Sequence, residues 1–289
     1  MRTLSRITFV VLSLLSLHTT AFTTLVVPAF NEEKRLPLEE LVEFSKITGR
    51  RILIVDDGSA DNTYSIVKSK ENLPLFTILR LEKNSGKGEA VRLGMLKALE
   101  QEGVTFVGFW DADLATPLSA LKDFQAIFER FPAIEMVFGS RVALLGRNIK
   151  RHASRHYLGR IFATLASTLL NLRIYDTQCG SKLFRVTEDL KVVLSEPFMS
   201  RWIFDVELIA RFALLKRNKT NPDILPIEQV IYEYPLHTWE DVEGSKVNFK
   251  DKIRALEGLF QIWYRYYSPD WLVSKKPWPP VVDAACAAE

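Results

Sequence analysis

Residues 104–131 read VTFVGFWDADLATPLSALKDFQAIFERF. The first seven are β-branched or aromatic around one glycine, the signature of a buried strand. That strand runs into Asp111 and Asp113, and Pro117 then opens a helical pattern, as proline does at a first helical turn. Strand, acidic loop and helix make one α/β unit, and the same unit recurs on either side. TTLVVPAF (23–30) is a strand stopped by Pro28, and LPLEELVEFSKI (36–47) has helical spacing. RILIVDDGSADNT (51–63) is a strand and turn, LFTILRL (75–81) a strand, and GKGEAVRLGMLKALEQ (86–101) a helix opened by glycines. IEMVFGSR (134–141) is another strand. This alternation predicts an α/β fold, a Rossmann-like, mostly parallel sheet with helices on both faces. Right-handed crossovers gather the loops after the strands along one edge, where open α/β sheets bind ligands. VDDGS, NSGKG, DAD and GSR all fall at that edge.

The 289 residues suffice for an ample core, and 47% apolar with 25% charged is ordinary for a globular chain. A net charge of +3 is too small to argue for nucleic acid, and no nucleic-acid partner is expected. Cys179 and Cys286 form no disulfide framework and no zinc spacing, which fits a reducing compartment.

The chain divides into an N-terminal hydrophobic segment (1–22), a catalytic domain (23–247), a C-terminal amphipathic, aromatic helix (248–273) and a loose tail (274–289). MRTLSR precedes the apolar run ITFVVLSLLSL (7–17), which is short for a span of roughly 20 residues. Its charge pattern and small-residue end also suit a signal peptide, and a buried helix is the plainer alternative. A membrane-anchoring or membrane-lying segment is favoured. Residues 147–174 read as one long helix, basic at first and then apolar, suited to a membrane surface or to the core. Residues 252–272 are crowded with aromatics and arginines, as at a membrane interface or on a helix packed against the sheet.

Residues i and i+2 of an extended segment point the same way, so Asp111 and Asp113 face one site together. Two close carboxylates repel unless a cation or proton lies between them. Mg²⁺ or Mn²⁺ beside a substrate phosphate is the natural resident; a turn with a helix cap is the plainer alternative. Asp56 and Asp57 are adjacent and point apart, so one can accept from a base or ribose while the other orients its loop. NSGKGEA (84–90) offers glycines, Lys87 and a helix N-terminus, which suit phosphate, although its spacing is neither a P-loop nor GxGxxG.

VVPAFNEEKRLP, VDDGSADNT, NSGKGEAVRLGM, DADLATP, GSR, DTQCGSKLF, RWIFDVEL and EGSK occur in this order over residues 25 to 246. The series resembles family 2 glycosyltransferases of the glycosyltransferase A fold. More narrowly it is similar to the dolichyl-phosphate β-glucosyltransferases and the related dolichyl-phosphate mannose synthases. The narrower likeness rests on DADLAT, DTQCG, RWIFDVEL and EGSK.

The resemblance implies an inverting hexosyltransferase that moves a sugar from a nucleotide sugar, UDP-glucose by this analogy, to a polyprenyl phosphate. A GDP-mannose donor, a saccharide acceptor and a non-catalytic nucleotide-sugar-binding protein are the alternatives. It implies Pro28, Phe30, Asn31, Glu32, Asp56 and Asp57 around the nucleotide, with Lys87, Asp111 and Lys246 on the donor side. Asp111 and Asp113 match the metal motif, for Mg²⁺ or Mn²⁺. Arg141, Arg151, Arg155, Gln178, Lys182 and Trp202 are implied on the acceptor-phosphate side. Arg201 and Asp205 join Asp111 and Asp113 as catalytic candidates, and Glu207 lies in the same segment. Two positions depart from the pattern: Ala115 stands where the mannose synthases carry Gln, and Ser181 where relatives carry Phe. A membrane partner follows, with the site facing the cytosol, at the endoplasmic reticulum in a eukaryote or the plasma membrane in a prokaryote.

Overall fold

The β-rich segments pair as the hydrophobic pattern dictates. The computed structural model describes residues 22–151, 153–218, 225–242 and 249–268. In chain order, β1 (Phe22–Ala29) leads to α1 (Leu38–Thr48), β2 (Arg51–Asp56), α2 (Thr63–Lys68), β3 (Phe76–Arg80) and α3 (Lys87–Leu99). β4 (Val104–Trp110), α4 (Ala120–Arg130), β5 (Met136–Ser140), β6 (Asn148–Lys150) and α5 (Ala153–Leu170) follow. The remainder comprises β7 (Ser181–Arg185), α6 (Glu188–Leu194), α7 (Phe204–Asn218), α8 (Ile227–Val230), β8 (Ile231–Pro235), β9 (Thr238–Glu240) and α9 (Phe249–Ile262). A π-helical turn, Trp263–Tyr267, continues α9.

The seven-stranded sheet has the order β3-β2-β1-β4-β7-β5-β8. Successive side chains of a strand point to opposite faces, and both faces are apolar because both are covered by helices. Val26, Val55, Val107 and Phe109 pack with α3, α5, α6 and α7 on one face. Leu25, Val27, Ile52, Ile54 and Phe106 pack with α1, α2 and α4 on the other. Pro28 does not end β1; it pairs in register with Val55. It lies past the last β1–β4 pair, Val26 with Phe109, so its missing N–H removes no bond on that side.

The sheet is mostly parallel, as expected, with β7 running antiparallel between β4 and β5. Gly108 permits this, because a Cβ there would lie 2.3 Å from the Lys182 carbonyl of β7. One expectation is corrected: 147–174 is not one helix. Asn148–Lys150 forms a strand paired with Thr238–Glu240, and the Asn148 amide donates to the His237 carbonyl at 2.9 Å. Gly146 turns the chain at φ 79° just before it, so a tertiary pairing overrides helical spacing.

α5 exposes Tyr157, Leu158, Ile161 and Leu165, and α9 exposes Ile253, Leu256, Phe260 and Tyr264. Among the described residues no helix is long and apolar enough to cross a membrane. Residues 1–21, which hold nearly all of the apolar leader, and the tail 274–289 lie outside the described residues.

Candidate functional site

The carboxyl ends of β1 and β2 carry two loops laced together. Asn31 adopts φ 51°, a left-handed backbone that asparagine tolerates. Its amide donates to the Ser59 hydroxyl at 3.0 Å and its side-chain carbonyl accepts from the Ala60 amide at 2.9 Å. The Glu32 amide donates to the Thr63 hydroxyl at 2.8 Å, and Arg35 holds the Glu32 carboxylate through two bonds at 2.9 and 2.7 Å. Phe30 is partly buried beside them.

The adjacent aspartates part as their geometry requires. Asp56 is buried, accepts from the Ser59 amide at 3.3 Å and faces Arg80 at 3.5 Å. Asp57 turns the other way and receives the amides of Ser85 at 2.6 Å and Gly86 at 2.8 Å. Burial pushes its carboxyl up, and those two amides work against the shift. Asp57 therefore shapes the NSGKG loop at the start of α3.

Lys87 extends from that start to Asp111, with Nζ 2.5 Å from Oδ1. Burial alone would lower the Lys87 ammonium's pKa; Asp111, Asp205 and Asp113 outweigh it, and the result is raised. Asp111 leaves the end of β4, its amide bonded to the Gly180 carbonyl at 2.8 Å. The Trp110 indole N–H donates to the Thr116 carbonyl at 2.7 Å and closes the loop that holds both aspartates. Asp113 accepts from the Ala115 amide at 3.1 Å, beyond Leu114 at φ 49°. Burial raises the Asp113 carboxyl and the Asp111 charge raises it further. This is the repulsion a divalent cation relieves. Two hard carboxylate oxygens beside the glycine-rich start of α3 suit Mg²⁺ or Mn²⁺. Among the described residues no group of three or more His, Cys, Asp or Glu stands ready to hold a metal. The other ligands would be substrate and water.

Asp205, at the start of α7, faces the same cluster. Burial raises its carboxyl against the pull of Lys182 and Lys87. Lys182 is buried, 2.5 Å from Asp205 Oδ1, and donates to the Thr177 and Cys179 carbonyls at 3.0 and 2.8 Å. Its ammonium thus faces Asp205 and the chain, not an open acceptor space, because its strand runs antiparallel in the sheet interior. Arg201 donates to the Asn84 carbonyl at 3.1 Å and to the Asn84 side chain. Its own carbonyl accepts from the Gly88 amide at 3.2 Å. Trp202 is exposed beside it.

A second cluster lies across the sheet edge. Arg141 donates Nε at 2.6 Å and NH2 at 2.8 Å to the buried Asp176, and its guanidinium stacks 5.2 Å from the Trp239 ring centre. Burial would raise the Asp176 carboxyl; Arg141 overrides it and holds the group well below the usual carboxylate range. Glu233 fixes the same turn by accepting the Tyr175 amide at 2.9 Å and the Asp176 amide at 2.7 Å. Arg151 stands close enough to Arg141 that burial, then that charge, lowers its own pKa. The Gln178 amide donates to Asp176 at 3.2 Å. The side chain of Arg155 and all of Lys246 lie outside the described residues.

Asp176→Asn is expected to destabilise the fold by about 3–5 kcal/mol at most, by leaving the largely enclosed Arg141 guanidinium without its partner. The folded pKa of Asp176 is depressed, so its contribution is complete above the unfolded value near 3.8. It is lost only as pH falls through the folded value. Thermal unfolding of both proteins from pH 7 to pH 2 checks this; the gap should persist to pH 4 and narrow steadily below it.

Sequence reasoning missed Asp176, Gly180, Asn84 and Glu233. The first two sit inside the DTQCG motif and the third opens NSGKG, so their motifs carried the signal. Glu233 carried none.

Residues 24–190 match the family model described as Glycosyl transferase family 2. The chain is 31% identical over 272 residues to the dolichyl-phosphate beta-glucosyltransferase of Dictyostelium discoideum, spanning 87% of this chain and 77% of that protein. It is 34% identical over 273 residues to the enzyme of the same name from Saccharomyces cerevisiae, spanning 85% and 75%. A crystal structure of glucosyl-3-phosphoglycerate synthase from Mycobacterium tuberculosis, in complex with Mn²⁺, uridine diphosphate and glucosyl-3-phosphoglycerate, shares the glycosyltransferase A fold. Its TM-score is 0.57 at 16% identity, over 87% of this chain and 82% of that one.

Proposed function

The chain belongs to glycosyl transferase family 2, and we propose that it transfers glucose from UDP-glucose to a polyprenyl phosphate of the dolichyl type. The observation that carries this reading is the Lys87–Asp111 pair, with Asp113 and Asp205 turned toward it, at the carboxyl edge of the sheet. The names of the relatives support the acceptor.

The leaving group is a nucleoside diphosphate, whose charge grows as the bond from the sugar C1 to its β-phosphate oxygen breaks. The loop ordered by Asp57 offers the N-terminus of α3 to that phosphate, and Lys87 supplies a cation. Asp111 and Asp113 would hold Mg²⁺ or Mn²⁺, which when bound neutralises the diphosphate. The acceptor phosphate oxygen attacks C1 from the opposite face, forming the new C1–O bond and inverting the centre. A phosphate monoester with a second pKa of about 6 is already anionic at neutral pH, so no strong base is needed. Asp205 orients Lys87 rather than taking a proton.

Arg141 and Arg151 gather the acceptor phosphate, Arg141 held in place by Asp176. The exposed apolar faces of α5 and α9 rest on the membrane that carries the lipid. The site faces the cytosol, where nucleotide sugars are made, at the endoplasmic reticulum or, in a prokaryote, the plasma membrane.

The test is transfer from radiolabelled UDP-glucose, with GDP-mannose in parallel, to dolichyl or undecaprenyl phosphate in detergent, with and without Mn²⁺ or Mg²⁺. Labelled lipid from UDP-glucose that needs the metal is the expected result. Labelled lipid from GDP-mannose alone would reassign the sugar, and none from either donor would overturn the lipid acceptor. Arg151→Ala should raise the KM for the lipid roughly tenfold while the UDP-glucose KM holds; equal effects on both would remove Arg151 from the acceptor side.

A further inference from the structure

The segment 195–203 joins α6 to α7 and carries Arg201 and Trp202, and neither a strand nor a helix of its own holds its first half in place. A buried arginine does. Arg211, 1% exposed on α7, donates to the Val193, Glu196 and Pro197 carbonyls at 2.8, 2.7 and 2.8 Å. The first of these belongs to the last turn of α6, whose carbonyls helix geometry leaves without partners. The remaining Arg211 donors reach the Glu207 carboxylate at 2.8 Å and the Tyr266 hydroxyl at 3.0 Å. The Tyr266 hydroxyl donates in turn to Glu207 Oε1 at 2.8 Å, and Glu207 Oε2 accepts the Met199 amide at 2.8 Å.

Tyr266 comes from the far end of the chain. It lies in the π-helical turn Trp263–Tyr267 that follows α9, a rare winding that appears mostly where function or packing demands it. Ahead of that turn, α9 bears the exposed apolar face. Within the same segment, Arg201 meets Asn84 and Gly88, next to Lys87. Contacts therefore run unbroken from the C-terminal helix to the loop that holds the donor phosphates.

We propose that Tyr266 is a positioning residue: through Glu207 and Arg211 its hydroxyl sets the segment 195–203, so that docking of the C-terminal helix and the placement of Arg201 and Trp202 are one event. The proposal rests on the reading that Trp202 serves the acceptor side. Arg211 and Glu207 are a buried ion pair whose geometry depends on every hydrogen bond made to it. Removing one oxygen shifts the pair and the segment, while the Tyr266 ring still fills its place.

Tyr266→Phe tests this in the full-length chain. The KM for dolichyl phosphate should rise about tenfold, with the UDP-glucose KM within about twofold. Amide hydrogen exchange should quicken over 196–203 and not in the sheet. A lowered Tm with an unchanged acceptor KM, or an equal rise in both KM values, would make the hydroxyl a packing contact and overturn the proposal. If the wild-type protein makes no lipid product, the acceptor reading fails by itself. The exchange experiment then decides: faster exchange over 196–203 upholds the positioning, and unchanged exchange overturns it.

Discussion

Asp111→Asn is expected to lower kcat/KM for UDP-glucose by roughly three orders of magnitude, the scale of losing one preorganised charge-stabilising group. Asparagine keeps the shape, and the backbone amide of residue 111 keeps its bond to the Gly180 carbonyl, so the fold should survive. What goes is the charge. Lys87 loses the partner 2.5 Å from its ammonium, and a bound divalent cation loses one of two carboxylates. The Asp113 carboxyl, raised by burial and then by Asp111, should titrate at a lower pH in the variant. Initial rates with dolichyl phosphate, run beside a thermal melt, measure this. A loss below tenfold with unaltered metal dependence would place Asp111 away from the reacting centre.

Gly180→Ala should cost about a hundredfold in kcat, the penalty for moving a catalytic group by about 1 Å. A Cβ at this position would lie 1.9 Å from Asp111 Oδ2 and 2.1 Å from its Cγ. No contact that short survives, so the Asp111 carboxylate must swing off Lys87. The backbone of Gly180 is not left-handed, so alanine strains no φ and the sheet should hold. The prediction is thus a near-native Tm with a crippled site. Activity within about threefold of wild type would mean that the Asp111 rotamer is free to change, and its placement would lose its catalytic meaning.

The two substitutions also mark how far the sequence reads. The β-branched strand 104–110 and the acidic turn after it were legible because period and loop chemistry are local. So were the glycines before Lys87 and the Asp56–Asp57 turn. The partner that shapes Asp111 was not, because Gly180 reaches it only through β7. SKLFR shows no alternation that separates it from a loop, and its antiparallel course is fixed by strands on both sides. Lys182 shows the same limit. In sequence it is a cation within an acceptor motif; in the fold it is buried against Asp205. The spacing of Asn148–Lys150 fits a helix, and only the distant Thr238–Glu240 reveals it as a strand. The Arg211–Glu207–Tyr266 group gave no signal either, since Tyr266 lies 55 and 59 residues along the chain from the other two.

The antiparallel β7 also governs how the polypeptide is made. β4 and β5 leave the ribosome long before Ser181–Arg185, and neither pairs with the other. Until β7 arrives, the growing chain holds two unprotected edges rich in Val, Phe and Trp, the kind that recruits foreign strands. At roughly 5–20 residues per second, that exposure lasts several seconds. The same late insertion delivers Gly180 to Asp111 and Lys182 to Asp205. Nascent chains halted before residue 181 should therefore bind chaperones and lack the candidate donor site, and completion of the chain through β8 should end both conditions.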